Sequence, residues 1–260
     1  MGKVVLYNTT EGVAIITLNR PERYNAVNQG LIDGINESLD KASEDKHVRA
    51  IVITGAGKGF CAGADMSVFG TNVTPEQRRD YLINQYRPLI NKFYSLKKPI
   101  IGAINGTAAG VGAAIALACD LRIMSENSSL LFAFINIGLG PDGGASWLLS
   151  RQVGYSKAFE IAISGKKILG NECKELGLTN RVVQDQNIVD EAISWAKELV
   201  QKPTLAIGIT KQDMFYSMTN DLNETIAFEA KCQVAAFNSY DLKEGVTAFI
   251  EKRKPKFKGK

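Results

Sequence analysis

The feature that most constrains the fold is a pair of strand-length runs with no polar face, Ala50-Ile-Val-Ile-Thr54 and Pro99-Ile-Ile-Gly-Ala-Ile104. A strand wet on one side alternates apolar and polar residues. A run without alternation belongs to a strand covered on both faces, as in parallel sheets packed between helices. Val13-Ala-Ile-Ile-Thr-Leu18 reads as a further strand closed by Asn19-Arg-Pro21, and Leu121–Met124 and Arg181–Val183 as two more. Helical spacing lies between them. It covers Leu31 to Leu39, the small apolar run Gly110–Cys119, and stretches starting near Gly143, Tyr155 and Asn171. Thr74-Pro-Glu-Gln77 supplies an N-cap, a proline at N1 and a glutamine at N3, so a helix is predicted from there toward Tyr94. From Asn187 on the pattern is helical only, with capping boxes expected at Asp221-x-x-Glu224 and Asp241-x-x-Glu244. Strands and helices alternating to about residue 185, then helices alone, predict an α/β core followed by an all-helical C-terminal region. The division is placed at residues 1–190 and 191–260. The sequence carries neither a clear internal repeat nor a low-complexity linker.

Composition excludes several kinds of protein. Of 260 residues, 45% are hydrophobic and 22% charged, as in ordinary globular chains. No apolar run reaches the roughly 18 residues of a membrane helix, and Met1-Gly-Lys leads into too short an apolar stretch for a secretory signal. Four scattered cysteines and a single histidine, His47, argue against zinc and fit a reducing cytoplasm. The net charge of +4 comes from the end: Lys252 to Lys260 hold six basic residues, and without them 25 basic side chains face 27 acidic ones. A nearly neutral body with a basic tail is not a nucleic-acid-binding domain. The tail reads as a solvated, frayed end or as an attractor of an anionic ligand.

Two stretches of small residues follow the buried strands: Gly55-Ala-Gly-Lys-Gly-Phe-Cys-Ala-Gly-Ala-Asp65 and Asn105-Gly-Thr-Ala-Ala-Gly-Val-Gly112. Such loops can aim backbone N–H groups at an oxyanion, or simply make tight turns and close packing. Downstream, Asp142 sits in Ile137-Gly-Leu-Gly-Pro-Asp-Gly-Gly-Ala-Ser146, where a turn feeds a helix. Aspartate before Gly-Gly is also a common turn or cap residue. A lone carboxylate beside an oxyanion hole suits proton transfer, whereas two would suit adding water.

Asn19-Arg-Pro, Asn25-Ala26, Phe60-Cys-Ala-Gly-Ala-Asp65, Lys98-Pro-Ile-Ile-Gly-Ala-Ile-Asn-Gly106, Leu117-Ala-Cys-Asp120 and Ile137-Gly-Leu together resemble the crotonase, or enoyl-CoA hydratase/isomerase, superfamily, in the family's order and over essentially the whole chain. The resemblance implies a spiral core of ββα turns, a helical C-terminal trimerisation region, and homotrimers or paired trimers. It also implies an acyl-CoA thioester substrate, with coenzyme A as part of that substrate and no bound cofactor or metal. The thioester oxygen would take the backbone N–H groups of Ala64 and Val111; the family usually has glycine at the second position. Ala26, Ala62 and Asp65 fall on the substrate-side loops, and Phe134 on the acyl side. Arg20 and Lys58 could meet coenzyme A phosphates or be solvated surface charge. Asp65 and Asp120 also read as turn and cap residues. Phe249, Lys252 and Lys256 match a stretch that can reach a neighbouring subunit's ligand. Cys61 beside the oxyanion loop has no histidine near it and reads as a packing residue.

Departures from the family pattern narrow the chemistry. The two glutamates with which the family's hydratases hold water align with Ala114 and Phe134 here. An aspartate at position 142 before Gly-Gly, followed by Trp-Leu-Leu, resembles the ring-1,2-epoxyphenylacetyl-CoA isomerases. Dienoyl-CoA isomerases and 4-chlorobenzoyl-CoA dehalogenases also place an aspartate here. The former add a glutamate not found in Phe132–Ile137; the latter want a tryptophan at Phe134 and a histidine at Asn91. The expected function is an acyl-CoA isomerase with Asp142 as acid and base. The alternatives are a hydratase lacking the glutamate pair, a dehalogenase-like enzyme with Asp142 as nucleophile, and a non-catalytic acyl-CoA-binding paralogue. A helix start near Asp142 would favour its ionised form, while Phe132, Phe134 and Trp147 would oppose it by desolvation. The acyl pocket is expected to draw on segments such as Met66–Gln85.

Overall fold

The computed structural model describes residues 2–69 and 73–260, so residues 70–72 of the expected pocket segment lie outside the described residues. The strands are β1 (Val5–Thr10), β2 (Val13–Leu18), β3 (Ala50–Gly55), β4 (Ile100–Ile104), β5 (Thr107–Ala109), β6 (Leu121–Ser125), β7 (Ser129–Leu131), β8 (Lys167–Leu169) and β9 (Arg181–Val183). Six form one sheet in the order β1-β2-β3-β4-β6-β9, and β5, β7 and β8 form a second. β1 runs antiparallel to β2; every other pair in the large sheet is parallel, with Ile51 opposite Ile100 and Ile101 opposite Leu121.

The helices are α1 (Gln29–Glu44), α2 (Pro75–Tyr81), α3 (Arg87–Ser95), α4 (Val111–Ala118), α5 (Ala145–Val153), α6 (Tyr155–Ser164), α7 (Gly170–Glu175), α8 (Ile188–Val200), α9 (Thr204–Ser217), α10 (Leu222–Phe237) and α11 (Tyr240–Ile250). The chain therefore spirals: β4, β5 and α4 make one ββα turn, and β6, β7 and α5 the next. The first strand of each joins the large sheet and the second joins the small one.

The two-faced apolar strands are explained by this layering. Ile51, Ile53, Ile100 and Ile104 pack with Leu31 and Ile35 of α1, Leu89 and Phe93 of α3, and α4. Ala50, Val52, Ile101, Ala103 and Ile123 point the other way, onto Ile188, Ala192, Trp195 and Ala196 of α8. Burying each such Ile or Val side chain contributes about 1.5–3 kcal/mol, enough to fix which residues face which layer.

Thr74 caps α2 in the expected box with Gln77, and Asp221 caps α10 with Glu224. Asp241-x-x-Glu244 is not a capping box. Ser239 caps α11 by accepting the Leu242 N–H, and Asp241 lies buried inside the helix. Its carboxylate accepts the Lys258 and Gly259 N–H groups at 2.6 and 2.7 Å, and Glu244 accepts from Arg253 and the Lys256 N–H. Arg49 adds a bond to the Phe257 carbonyl at 3.1 Å. The basic tail is thus tied to the body rather than frayed. Asp241→Ala strips two charge-assisted bonds at once and should lower stability by about 2–3 kcal/mol. Denaturant melts would read that loss, with faster proteolysis after residue 251 as its local sign; an unchanged midpoint would refute the clamp.

Candidate active site

The site begins where β3 ends. Beyond Gly55 the chain must leave the sheet and turn back on itself, and two asparagines hold it there. Buried Asn25 donates from Nδ2 to the carbonyls of Ala56 and Gly59 at 3.0 and 2.8 Å. Asn105 donates to the carbonyls of Gly55 and Gly57 at 2.9 and 3.0 Å and accepts the Gly55 N–H. A Cβ on Gly106 would lie 2.2 Å from the Lys58 carbonyl oxygen, so only glycine lets these two loops touch.

The loop then runs beside β5, with Cys61 bridged to Ala108 and its carbonyl accepting the Ala109 N–H at 2.8 Å. Gly63 turns at a φ of +94°, and a Cβ there would meet the Ala109 carbonyl at 2.9 Å and the Gly110 Cα at 3.8 Å. Residues 63 and 110 are therefore in contact, and each is followed by one of the expected oxyanion donors. The Ala64 N–H donates to no described residue. Val111 opens α4, and the N–H groups of Val111 and Gly112 meet no acceptor among the described residues, while the Ala113 N–H turns to the Gly110 carbonyl at 3.0 Å. The structure thus brings the Ala64 and Val111 segments side by side at the positive end of a buried helix, a site electrostatically suited to an anion.

Phe134 and the Asp142 turn close the other side. A Cβ on Gly110 would be 3.8 Å from the Phe134 ring, and one on Gly143 would be 3.0 Å from Val111 Cγ2 and 3.5 Å from Ala114 Cβ. Gly143 and Gly144 both adopt positive φ, +59° and +77°. The Asp142 side chain caps nothing: the N-cap of α5 is Gly144, without a side-chain bond, and only the Asp142 backbone carbonyl accepts the Ala145 N–H. Its carboxylate Oδ2 lies 3.2 Å from Arg78 Nη2, while Oδ1 is buried and has no hydrogen-bond partner among the described residues. Burial raises the Asp142 carboxyl above its ordinary range, and Arg78 opposes that rise. Desolvation wins the contest left open by the sequence.

The other expected residues lie in different surroundings. Asp65 bonds the Ser67 N–H and hydroxyl and pairs with Arg20 at 2.8 Å, which holds its carboxyl down at about 2. Arg20 also donates to the Ala26 carbonyl. Arg20, Ala26 and Asp65 are thus one interlocked cluster that shapes the loop beneath Ala64, with the Arg20 guanidinium engaged rather than free on the surface. Lys58 and Ala62 are exposed on the same loop, and the Ala62 N–H goes to the Tyr24 carbonyl. Phe249, 85% exposed, lies far along the chain at the end of α11 beside Pro203, Leu242 and Phe257, and exposed Lys252 follows it. Cys61 is fully buried and its thiol is pushed up to about 12 by desolvation, so it is no nucleophile at neutral pH. Asp120 is structural, accepting the Ile100 N–H and pairing with Lys211, both at 2.8 Å. Arg78, Asn25 and Asn105 are the contributors whose roles the sequence reading missed. No group of three His, Cys, Asp or Glu side chains suited to a metal exists among the described residues.

A two-sheet spiral of ββα turns, with two glycine-rich loops meeting at the start of a buried helix, defines a crotonase-type fold. The chain belongs to the enoyl-CoA hydratase/isomerase family, whose model matches residues 8–260. It is 37% identical over 262 residues to a 1,2-epoxyphenylacetyl-CoA isomerase of Escherichia coli (strain K12), covering 100% of both chains. It is 34% identical over 243 residues to a short-chain-enoyl-CoA hydratase of Clostridium acetobutylicum, covering 93% of this chain and 92% of that one. The crystal structure of an enoyl-CoA hydratase from Bacillus anthracis superposes with a TM-score of 0.92 at 32% identity, covering 99% of this chain and 100% of the other.

Proposed function

We propose that this chain is an acyl-CoA isomerase that moves a proton along a thioester-activated acyl group. The observation that carries the reading is the lone carboxylate of Asp142, whose neighbour Gly143 abuts Val111 and Ala114 of α4, while by the family resemblance Ala114 and Phe134 stand where the hydratases carry their glutamates. The thioester oxygen binds the N–H groups of Ala64 and Val111, which stabilise the enolate as negative charge develops on it. Asp142 takes a proton from carbon and returns it to a different carbon. Atoms balance without a redox or metal partner, since substrate and product are isomers. With an unsaturated chain the result is a double-bond shift; with an epoxide of phenylacetyl-CoA, the substrate in the Escherichia coli relative's name, it accompanies ring rearrangement. Coenzyme A enters as part of the substrate.

Several relatives are named hydratases, which favours a second reading in which Asp142 alone guides water. A panel of 2-enoyl, 3-enoyl and phenylacetate-derived CoA thioesters in heavy water separates the two. Isomerisation or carbon-bound deuterium without mass gain from water supports the isomerase; a 3-hydroxyacyl product as the main species refutes it.

The division into a core at 1–190 and a helical region at 191–260 is part of the same proposal. Exposed Leu222, Ile226, Val234 and Phe237 on α10 support self-association of that region as a trimer or paired trimers. The exposure of Phe249 and Lys252 suits contact with a neighbouring subunit's ligand.

A further inference from the structure

Asp142 has two oxygens in different circumstances. Oδ2 is claimed by Arg78 across 64 residues of sequence; Oδ1 is buried with no donor among the described residues. A buried carboxylate oxygen without a partner is costly, and where one persists it calls for a functional explanation.

The placement of Arg78 is built, not incidental. The Thr74 box fixes the start of α2, putting Arg78 in its second turn. Next, Leu82–Tyr86 form a π-helical turn before α3, a wider turn frequent at functional sites. It ends on Tyr86, which is 1% exposed. The Arg78 guanidinium carbon sits 5.6 Å from the Tyr81 ring and 5.7 Å from the Tyr86 ring, and the two rings meet edge-on at 5.4 Å. The guanidinium thus has aromatic walls on one side and the Asp142 carboxylate on another.

We infer that Arg78 is a positioning residue for the proton transfer, holding Oδ2 of Asp142 so that Oδ1 is the atom that exchanges the proton. The inference rests on the proposed acid–base role of Asp142 and adds the device that sets its orientation and its working pH. Because the carboxyl is already raised by burial, the fixed positive charge of Arg78 keeps the basic form available at a lower pH than burial alone would allow. Among the described residues, these groups face the pair. α2 supplies Arg78 and Tyr81, the latter influenced by Asp33 of α1; the π turn supplies Tyr86, a phenol kept neutral by burial. Val111, Ala114 and Phe134 bring no charge.

The test follows the pH dependence of deuterium exchange into a responsive acyl-CoA, with thioester affinity measured separately. Wild type, Arg78→Gln and Arg78→Lys are compared, with Asp142→Asn as reference. In parallel, the Asp142 carboxyl carbon is titrated by 13C NMR in the free protein. Arg78→Gln should move the acid limb upward by about one pH unit or more, lowering exchange about tenfold on that limb. The NMR titration should move the same way without substrate, and Arg78→Lys should recover part of the shift. An Arg78→Gln protein whose acid limb and carboxyl titration stay where wild type has them overturns the inference, even if its rate falls. If wild type and Asp142→Asn exchange equally, the proton-shuttle reading fails instead, and the NMR titration still decides whether Arg78 governs the carboxyl.

Discussion

Asp142→Asn should reduce isomerisation and carbon-bound exchange by about 10²–10⁴-fold, the usual contribution of a positioned general acid or base. Binding of the acyl-CoA should survive, because the donors assigned to the thioester oxygen are backbone groups on other loops. The substitution keeps the side chain's size and its ability to meet Arg78 Nη2 through the amide oxygen, and removes only the ability to accept and return a proton. Since burial raises the carboxyl, wild-type activity should climb with pH through a limb lying above the ordinary carboxylate range, and that limb should vanish in the variant. Exchange that persists in Asp142→Asn at the wild-type rate would leave Asp142 as a folded-in counter-ion for Arg78 and no more.

The second large effect is expected from a methyl group. Gly112 is the second residue of α4, and a Cβ there would sit 2.3 Å from the Cys61 carbonyl oxygen and 2.9 Å from its sulfur. Cys61 is fully buried and bridged to β5, so it has nowhere to retreat. Gly112→Ala must therefore push the 55–65 loop away from the start of α4, parting the Ala64 and Val111 amides. Loss of one aligned donor lowers the rate about 10²–10³-fold, and overpacking costs about 1–3 kcal/mol of stability. Gly140→Ala is the control: a Cβ there meets nothing within 4 Å and φ is not positive, so both properties should hold. Wild-type turnover in Gly112→Ala would show that the closeness of these two segments is not what activates the thioester.

What could be read in advance follows from range. The strands β3 and β4 betrayed their burial because both faces of each are apolar, and α2 its start because a capping box is local chemistry. β5, β7 and β8 are three residues each, a length at which period is no guide; β9 is as short and showed itself only through its adjacent β-branched pair Val182-Val183. Asp241 misled because D-x-x-E spacing is all a capping box shows in sequence; the backbone N–H groups it binds come from 17 and 18 residues later. Asp142 itself stood out, yet its cation did not. Arg78 looks like any charged residue on a short surface helix. The one available signal was indirect: a carboxylate among Phe132 and Phe134 needs a positive partner, and the capped helix before the buried strand β4 carries Arg78 and Arg79.

The contact between Val111 and Gly143 has one more consequence. The valine isopropyl group separates the start of α4 from the turn that carries Asp142, so on the proposed mechanism it acts as a ruler. Its width sets the span from the thioester oxygen to the proton-accepting carboxylate, and with it which carbon along an acyl chain can come within reach. On that mechanism a smaller side chain at 111 would loosen the span, and the carbon within reach would shift with this one side chain's volume.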